Sequence, residues 1–399
     1  MPRTVVSDLV EPITDKQVAD QAKPEAYIGL EHIPERAIRI EKVGDTEAIR
    51  GMCVRFSKGD ILFGKLRPNL RKSVLAPADG LGSTEIIVLR PKPGIDPSFA
   101  GHVLRSETVF FEAERMTEGT RMPRTSWKTL SEIEVFAPAD QRVQKLIADV
   151  LDAIDDAVLE TDALIEKHEA IRLGLLDDLI SVPSQIASSD APDTLASLVA
   201  AISSGCSVNA DDRPPAAGEF GVLKTSAVGG GRFRPLESKA VWPREESRLK
   251  CPVEAGLILF SRMNTPQLVG ENAFVDEDHP SLFLPDRLWA IRVKEDEGVL
   301  PEWVATILQT RQARAFITGE ATGTSGSMKN IARTSLLRLP LRKLPHSDQV
   351  DAMKTVHALQ AEIDALISER GKLTALRLGL RDDLLTGRKP VVAIREAAE

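Results

Sequence analysis

Cysteine is scarce in this 399-residue chain. Cys53, Cys206 and Cys251 are too few and too scattered for a disulfide framework, which suits a reducing cytoplasm. Aromatic residues make up 4% of the chain and tyrosine occurs once, a thin supply for stacking single-stranded bases or RNA. The opening MPRTVVSDLV lacks the apolar core of a signal peptide, and no apolar run approaches membrane-spanning length. These absences predict a soluble cytoplasmic protein with no membrane partner.

Catalytic signatures are missing as well. The six histidines show no metal-ligand spacing with the cysteines, and no Ser-His-Asp set or glycine-rich dinucleotide loop stands out. Gly59-x4-Gly64-Lys65 nearly spells a phosphate-binding loop, but Leu66 replaces the hydroxyl that would hold magnesium. Pro285-Asp286…Arg292-Val293-Lys294 lacks the second acidic residue of a nuclease element, and Asp212-Arg213-Pro214-Pro215 is not the motif with which amino-methyltransferases hold a flipped base. The sequence predicts no enzyme, no metal and no cofactor of its own. The formal net charge of −8 argues at first against nucleic acid, yet residues 141–189 alone carry −6. The remaining blocks are close to neutral and can present a basic face opposed by an acidic one.

What the chain does have is a stretch that occurs twice. LDAIDDAVLETDALIEKHEAIRLGLLDDLIS at 151–181 returns as VHALQAEIDALISERGKLTALRLGLRDDLLT at 356–386, an offset of 205 residues. At that offset two heptad seams superimpose, from Leu151 to Leu179 and from Val356 to Leu384. Steps of three and four residues put these side chains on one narrow helical stripe, the signature of a coiled coil. Both copies end on Arg-Leu-Gly-Leu-x-Asp-Asp-Leu. Gly174 and Gly379 in that phrase sit where glycine costs about 1 kcal/mol relative to alanine, so their repetition predicts a close approach of a second backbone, from the other coil or a partner.

The globular blocks before each coil repeat an element order with little identity. Block one has strands near 26–31, 58–64 and 85–90, a helical segment from Pro97 to about Arg115, a polar loop at 117–125 and a strand at 133–136. Block two echoes it at 222–225, 256–261 and 288–292, with a helix from Pro301 and a loop at 319–330. In block one the second strand empties into a basic loop holding Lys65, Arg67, Asn69, Arg71 and Lys72, and in block two the matching strand is followed by Arg262 and Asn264. Arg and Asn have the geometry for paired hydrogen bonds to guanine and adenine edges in the major groove, although a solvated loop after a buried strand reads the same way. The polar loops add Arg121 and Arg124 in block one and Ser327, Lys329 and Asn330 in block two, suited to phosphate contacts.

Two diverged modules alternating with two similar coils resemble the specificity subunits of Type I restriction–modification systems. Lys58–Leu66, Gly256–Phe260, Leu223-Lys224-Thr225-Ser226-Ala227-Val228 and Leu378–Arg388 carry the resemblance. It implies an α+β chain with a target-recognition domain at 1–140, coil and linker at 141–189, a second recognition domain at 190–345, a second coil at 346–387 and a tail at 388–399. The two helices would pack as an antiparallel coiled coil. Each domain would read one half of a bipartite site in double-stranded DNA. Lys224 joins the DNA-facing candidates on this resemblance, and Leu173, Gly174, Leu175, Leu378, Gly379 and Leu380 become candidate docking positions for two modification subunits. Those subunits use S-adenosylmethionine, and a motor–nuclease subunit completes the complex. The rival expectation is a coiled-coil scaffold whose modules bind protein.

Overall fold

The computed structural model describes residues 3–19, 26–40, 42–47, 49–117, 122–180, 193–294, 298–323, 328–341 and 343–391, with the side chains of Leu179 and Ile180 left out. Two compact units result, and neither follows chain order. The first comprises Met1–Ala163 with Leu366–Glu399, the second Leu164–Ala365. Each unit therefore holds one module and half of each long helix, Gln141–Ile180 and His346–Leu385.

In the first unit an antiparallel four-stranded sheet runs in the order Val10–Ile13, Ile86–Pro91, Ile61–Gly64, Ser73–Leu75. Both central strands are nearly continuous apolar runs, because both faces are covered. Ile61, Phe63, Ile87 and Leu89 point into the core shared with the helices, while Leu62, Ile86 and Val88 point into a core beneath a second sheet. Alternate residues serve opposite faces, as the two-residue period of a strand demands. The second sheet is five-stranded: Lys16–Val18, Met52–Phe56, Gly80–Ser83, Ala26–Ile28, Gly44–Asp45, with one parallel pair, Ala26–Ile28 on Gly80–Ser83.

The second unit has the same plan. Its four-stranded sheet runs Val199–Ser204, Leu288–Val293, Ile258–Ser261, Asn272–Phe274, and its five-stranded sheet has the parallel pair Gly221–Leu223 on His279–Phe283. The fifth strand is what differs. Lys16–Val18 adds beside Met52–Phe56 in the first unit, whereas Ala210–Asp211 adds at the opposite edge, beside Ser238–Val241, in the second.

The helical segment expected from Pro97 to Arg115 is two helices, Pro97–Leu104 and Glu107–Arg115. Ser106 interrupts it and accepts a hydrogen bond from the Val109 amide, starting a new helix. Its counterpart is broken likewise, with Thr310 accepting from the Ala313 amide.

Within the first unit the two long helices run antiparallel: Arg377 pairs with Asp155 and Arg370 with Asp162, numbers rising on one helix as they fall on the other. In the second unit His168 faces Glu362 at 3.5 Å, and Leu176 shares a core with Met353. Leu151, Ile154, Val158 and Thr161 of the seam are buried as the heptads predict. Arg370 is exposed, because its charge is met at the helix surface by Asp162.

Candidate nucleic-acid interface

Strand Ile61–Gly64 delivers the chain into the basic loop, which turns through one short 3-10 helix, Pro68–Leu70. Arg67 and Arg71 bracket that turn in the left-handed region, at φ 53° and 55°. Such a conformation costs a side-chain-bearing residue about 1–2 kcal/mol and persists where neighbouring contacts over-determine it. Here they do. The Gly64 amide donates to the Lys72 carbonyl at 2.8 Å, the Arg67 amide to Pro123 at 2.8 Å, and the Thr125 amide to Lys65 at 3.0 Å. Leu66 and Arg124 form a bridge, so the basic loop is stitched to the polar loop 58 residues later.

The second unit repeats the stitch. Met263–Asn264 pairs antiparallel with Lys329–Asn330, and the Ile331 amide donates to the Arg262 carbonyl at 3.1 Å. Thr322 and Asn330 exchange both backbone bonds, closing the polar loop on itself. In each unit, then, the strand-exit loop and the later polar loop become one surface.

The side chains divide sharply. Arg67 and Asn69 are exposed at the turn, and Arg124 is exposed with an ion pair to Glu85 at 3.2 Å. Lys65 donates to the Thr84 carbonyl at 2.5 Å and Lys72 to the Leu30 carbonyl at 2.7 Å. Arg71 is ion-paired with Glu107. These three hold the loop from inside. Burial pushes the pKa values of Lys65 and Arg71 down; Glu85 opposes the fall for Lys65, and Arg36 adds to it for Arg71.

In the second unit Arg262 donates through Nε to the Asp286 carbonyl at 2.8 Å, as Lys65 does to Thr84. Each cation fastens the segment that leads into the central strand, at Leu288 or Ile86. The recurrence of a cation after the strand thus has a structural role in both halves. Asn264 is half-buried and bonds the Ser261 hydroxyl at 3.3 Å, while its Oδ1 accepts from the Thr265 amide at 2.9 Å. Lys329 and Asn330 are half-buried on the paired strands, and Asn330 keeps Oδ1 buried without a hydrogen-bond partner. Lys224 is ion-paired with Asp212 at 2.9 Å. Arg121 and Ser327 lie outside the described residues.

One group on this face has no counterpart in the sequence reading. Trp289, 2% exposed, stacks on Phe260 and carries two guanidiniums, Arg262 at 6.0 Å and Arg333 at 5.7 Å. Arg333 opens a five-residue helix directly after the polar loop. The one signal that could have found it is Trp289 itself, a large aromatic where the first module has Ile87.

On the coils, Leu173 and Leu175 are half-buried, Leu380 packs against the first unit's core, and Leu378 is 48% exposed. A Cβ built on Gly174 or Gly379 meets nothing within 4 Å. The close approach of the other coil predicted from these glycines is therefore not made within either unit. Among the described residues no cluster of His, Cys, Asp and Glu is built to hold a metal ion, and no helix is long and apolar enough to cross a membrane.

Comparison with known proteins agrees with this architecture. Residues 42–168 match the Type I restriction modification DNA specificity domain. The Type I restriction enzyme EcoEI specificity subunit of Escherichia coli is 24% identical over 165 residues, 41% of this chain and 28% of that protein. The match thus spans under a third of the curated relative. A solved S subunit of a Type I restriction–modification system from M. genitalium superimposes at TM-score 0.56 with 14% identity, covering 96% of each chain. A chain from a study of assembly and conformational transition in the Type I R-M system also gives 0.56, at 16% identity over 96% of this chain and 97% of that one. Residues 42–168 belong to the Type I restriction modification DNA specificity domain family, and the chain as a whole has the fold of Type I specificity subunits.

Proposed function

We propose that this chain is the DNA-reading specificity subunit of a Type I restriction–modification complex. Each module reads one half of a bipartite, asymmetric site in duplex DNA. The long helices space the modules and dock two modification subunits, which bind S-adenosylmethionine and methylate adenine. A motor–nuclease subunit joins for restriction, and the chain itself performs no chemistry. The observation that carries this reading is the repeated stitch, Leu66 to Arg124 in one unit and Met263–Asn264 to Lys329–Asn330 in the other. It brings the exposed Arg67, Asn69 and Arg124 together in one module and the half-buried Asn264, Lys329 and Asn330 in the other, residue types that pair with base edges and phosphates.

The test is to map methylated adenines by single-molecule sequencing in a host with and without the gene. Loss of one bipartite motif is expected, and an unchanged methylation pattern overturns the reading. Duplex binding by the purified chain should weaken steeply with salt, as counterion release requires, whereas a protein-binding scaffold shows no such slope.

A further inference from the structure

The first unit contains a concentration of positive charge that its own carboxylates do not match. A cleft of about 40 Å³ is lined by Arg36, Arg71, Arg105, Arg377 and Arg381, with Glu107 as its one lining carboxylate. Asp155, beneath it, pairs with Arg377 and lies 3.8 Å from Arg105. Asp152 also acts on Arg105 and Glu114 on Arg71, so the five guanidiniums face four carboxylates, with Arg39 a further cation beside Arg105. Arg381 donates through one terminal nitrogen to the Arg105 carbonyl at 3.1 Å, and its Nε is buried without a hydrogen-bond partner. Burial, with Arg105 and Arg377 adding repulsion, pulls the Arg381 pKa down to about 9. Asp155 is its one opposing charge and is already shared with Arg377 and Arg105. A cation so under-matched is costly, and a carboxylate held in two-point contact by guanidinium is its strongest ordinary remedy.

The surroundings decide what kind of anion fits. The mouth is flanked by exposed apolar side chains, Leu378 at 48% and Phe111 at 62%, and by the acids Glu107 and Glu112. Arginine beside exposed apolar and aromatic groups is the composition of a protein interface, and acids at the rim repel a polyanion. The cleft also has room for only one terminal group. A carboxylate on a side-chain stem can enter it, whereas a phosphodiester is held between two sugars of a stiff duplex.

The other half differs in composition. At the corresponding positions Arg105 becomes Gln309 and Arg381 becomes Leu176, while Arg377 keeps a counterpart, Arg172, which bonds Gln309 at 3.1 Å, leaves its own Nε buried without a partner and has Arg232 as the neighbouring cation. We propose that the cleft receives an aspartate or glutamate side chain of one modification subunit, so that the two halves of the chain grip their partners unequally. This rests on the reading that modification subunits dock on the helices.

The full chain is titrated with purified modification subunit and the stoichiometry followed by native mass spectrometry. Wild type takes up two subunits. Arg381→Gln, and separately Arg36→Glu at the 63% exposed rim, weakens one of the two binding steps at least tenfold and leaves the other unchanged. Arg381→Gln keeps or raises the melting temperature, since it removes one of the cations that repel each other around Asp155; if it does not fold, the rim variant carries the test. Equal weakening of both steps, or no change in either variant, overturns the cleft proposal alone. Loss of duplex affinity by the assembled complex with stoichiometry intact makes phosphate the occupant and also overturns it. A wild-type chain that takes up no modification subunit overturns this proposal and the function above together.

Discussion

His102 shows how much one side chain can be constrained. It is fully buried, with Nε2 2.8 Å from Asp152 and Nδ1 3.2 Å from an Arg105 nitrogen. A guanidinium can only donate, so Nδ1 accepts and the proton sits on Nε2, leaving the ring neutral. Burial holds its pKa below the ordinary histidine value despite Asp152. Asp152 would be raised by burial, but hydrogen bonds from His102 and Ser98 win and hold it down. In the unfolded chain His102 titrates near 6.5, so the unfolded state binds the extra proton as pH falls. Stability is full above about pH 6.5 and is lost below it, by up to ~1.4 kcal/mol per pH unit. Unfolding free energies at pH 7.5 and 5.5 should differ more for wild type than for His102→Gln; equal differences would show that this ring does not carry the slope. At the proposed DNA-facing surface, Arg67 is the exposed arginine of the turn. Arg67→Ala should weaken recognition of one half-site only, by about 1–3 kcal/mol if the contact is a bidentate base pair. Binding to duplexes altered in one half at a time checks this, and an equal effect on both halves, or none, counts against it.

At the scale of elements, a buried glutamine fixes each module to its coil. Gln144 accepts from the Asp96 amide at 2.9 Å and donates to the Pro138 carbonyl at 2.8 Å. Gln349, 205 residues on, accepts from the Leu300 amide at 2.9 Å and donates to the Leu344 carbonyl at 2.8 Å. Both side chains are essentially inaccessible, at 1% and 0% exposure. Each thereby ties the start of a module helix and the approach to a long helix to the same side chain. Gln144→Leu strands both backbone groups and should cost about 1–3 kcal/mol for each. A shift in denaturant midpoint checks it, and a change under ~0.5 kcal/mol would mean that water replaces the side chain. The open space around Gly379 belongs to the same scale. Gly379→Leu should leave helix content unchanged and weaken co-purification with the modification subunit, and normal co-purification would remove this glycine from the docking surface.

For the whole molecule, each long helix has 40 residues, or ~60 Å at 1.5 Å per residue. One heptad added to both, between Ile154 and Thr161 and between Leu359 and Leu366, lengthens the pair by ~10.5 Å with the seam preserved. That is about 3 base pairs of DNA. The half-site sequences should stay fixed while the unspecified gap between them grows by that amount, or activity is lost because the added twist cannot be absorbed. Methylation mapped at the original gap, or changed bases within the half-sites, would show that the helices do not set the spacing.

The sequence by itself determined the duplication, the two long helices and the buried central strands. These depend on periods of 3.5 and 2 residues, which are local and written in the order of side chains. Leu151, Ile154 and Val158 of the seam are buried as that order requires, and the strand at Ile86 needed only its apolar run. Tertiary structure decided which cations of the candidate site face outward. Lys65, Arg67, Arg71 and Lys72 look alike in sequence, yet only Arg67 is exposed at the turn. Carbonyl partners at Leu30 and Thr84 and a carboxylate at Glu107 draw the other three inward. It also decided that two loops far apart in the chain share one surface, and that Arg105, Arg377 and Arg381 meet. Such meetings depend on hydrogen bonds and charge pairs between segments far apart in the chain, and no local period encodes them.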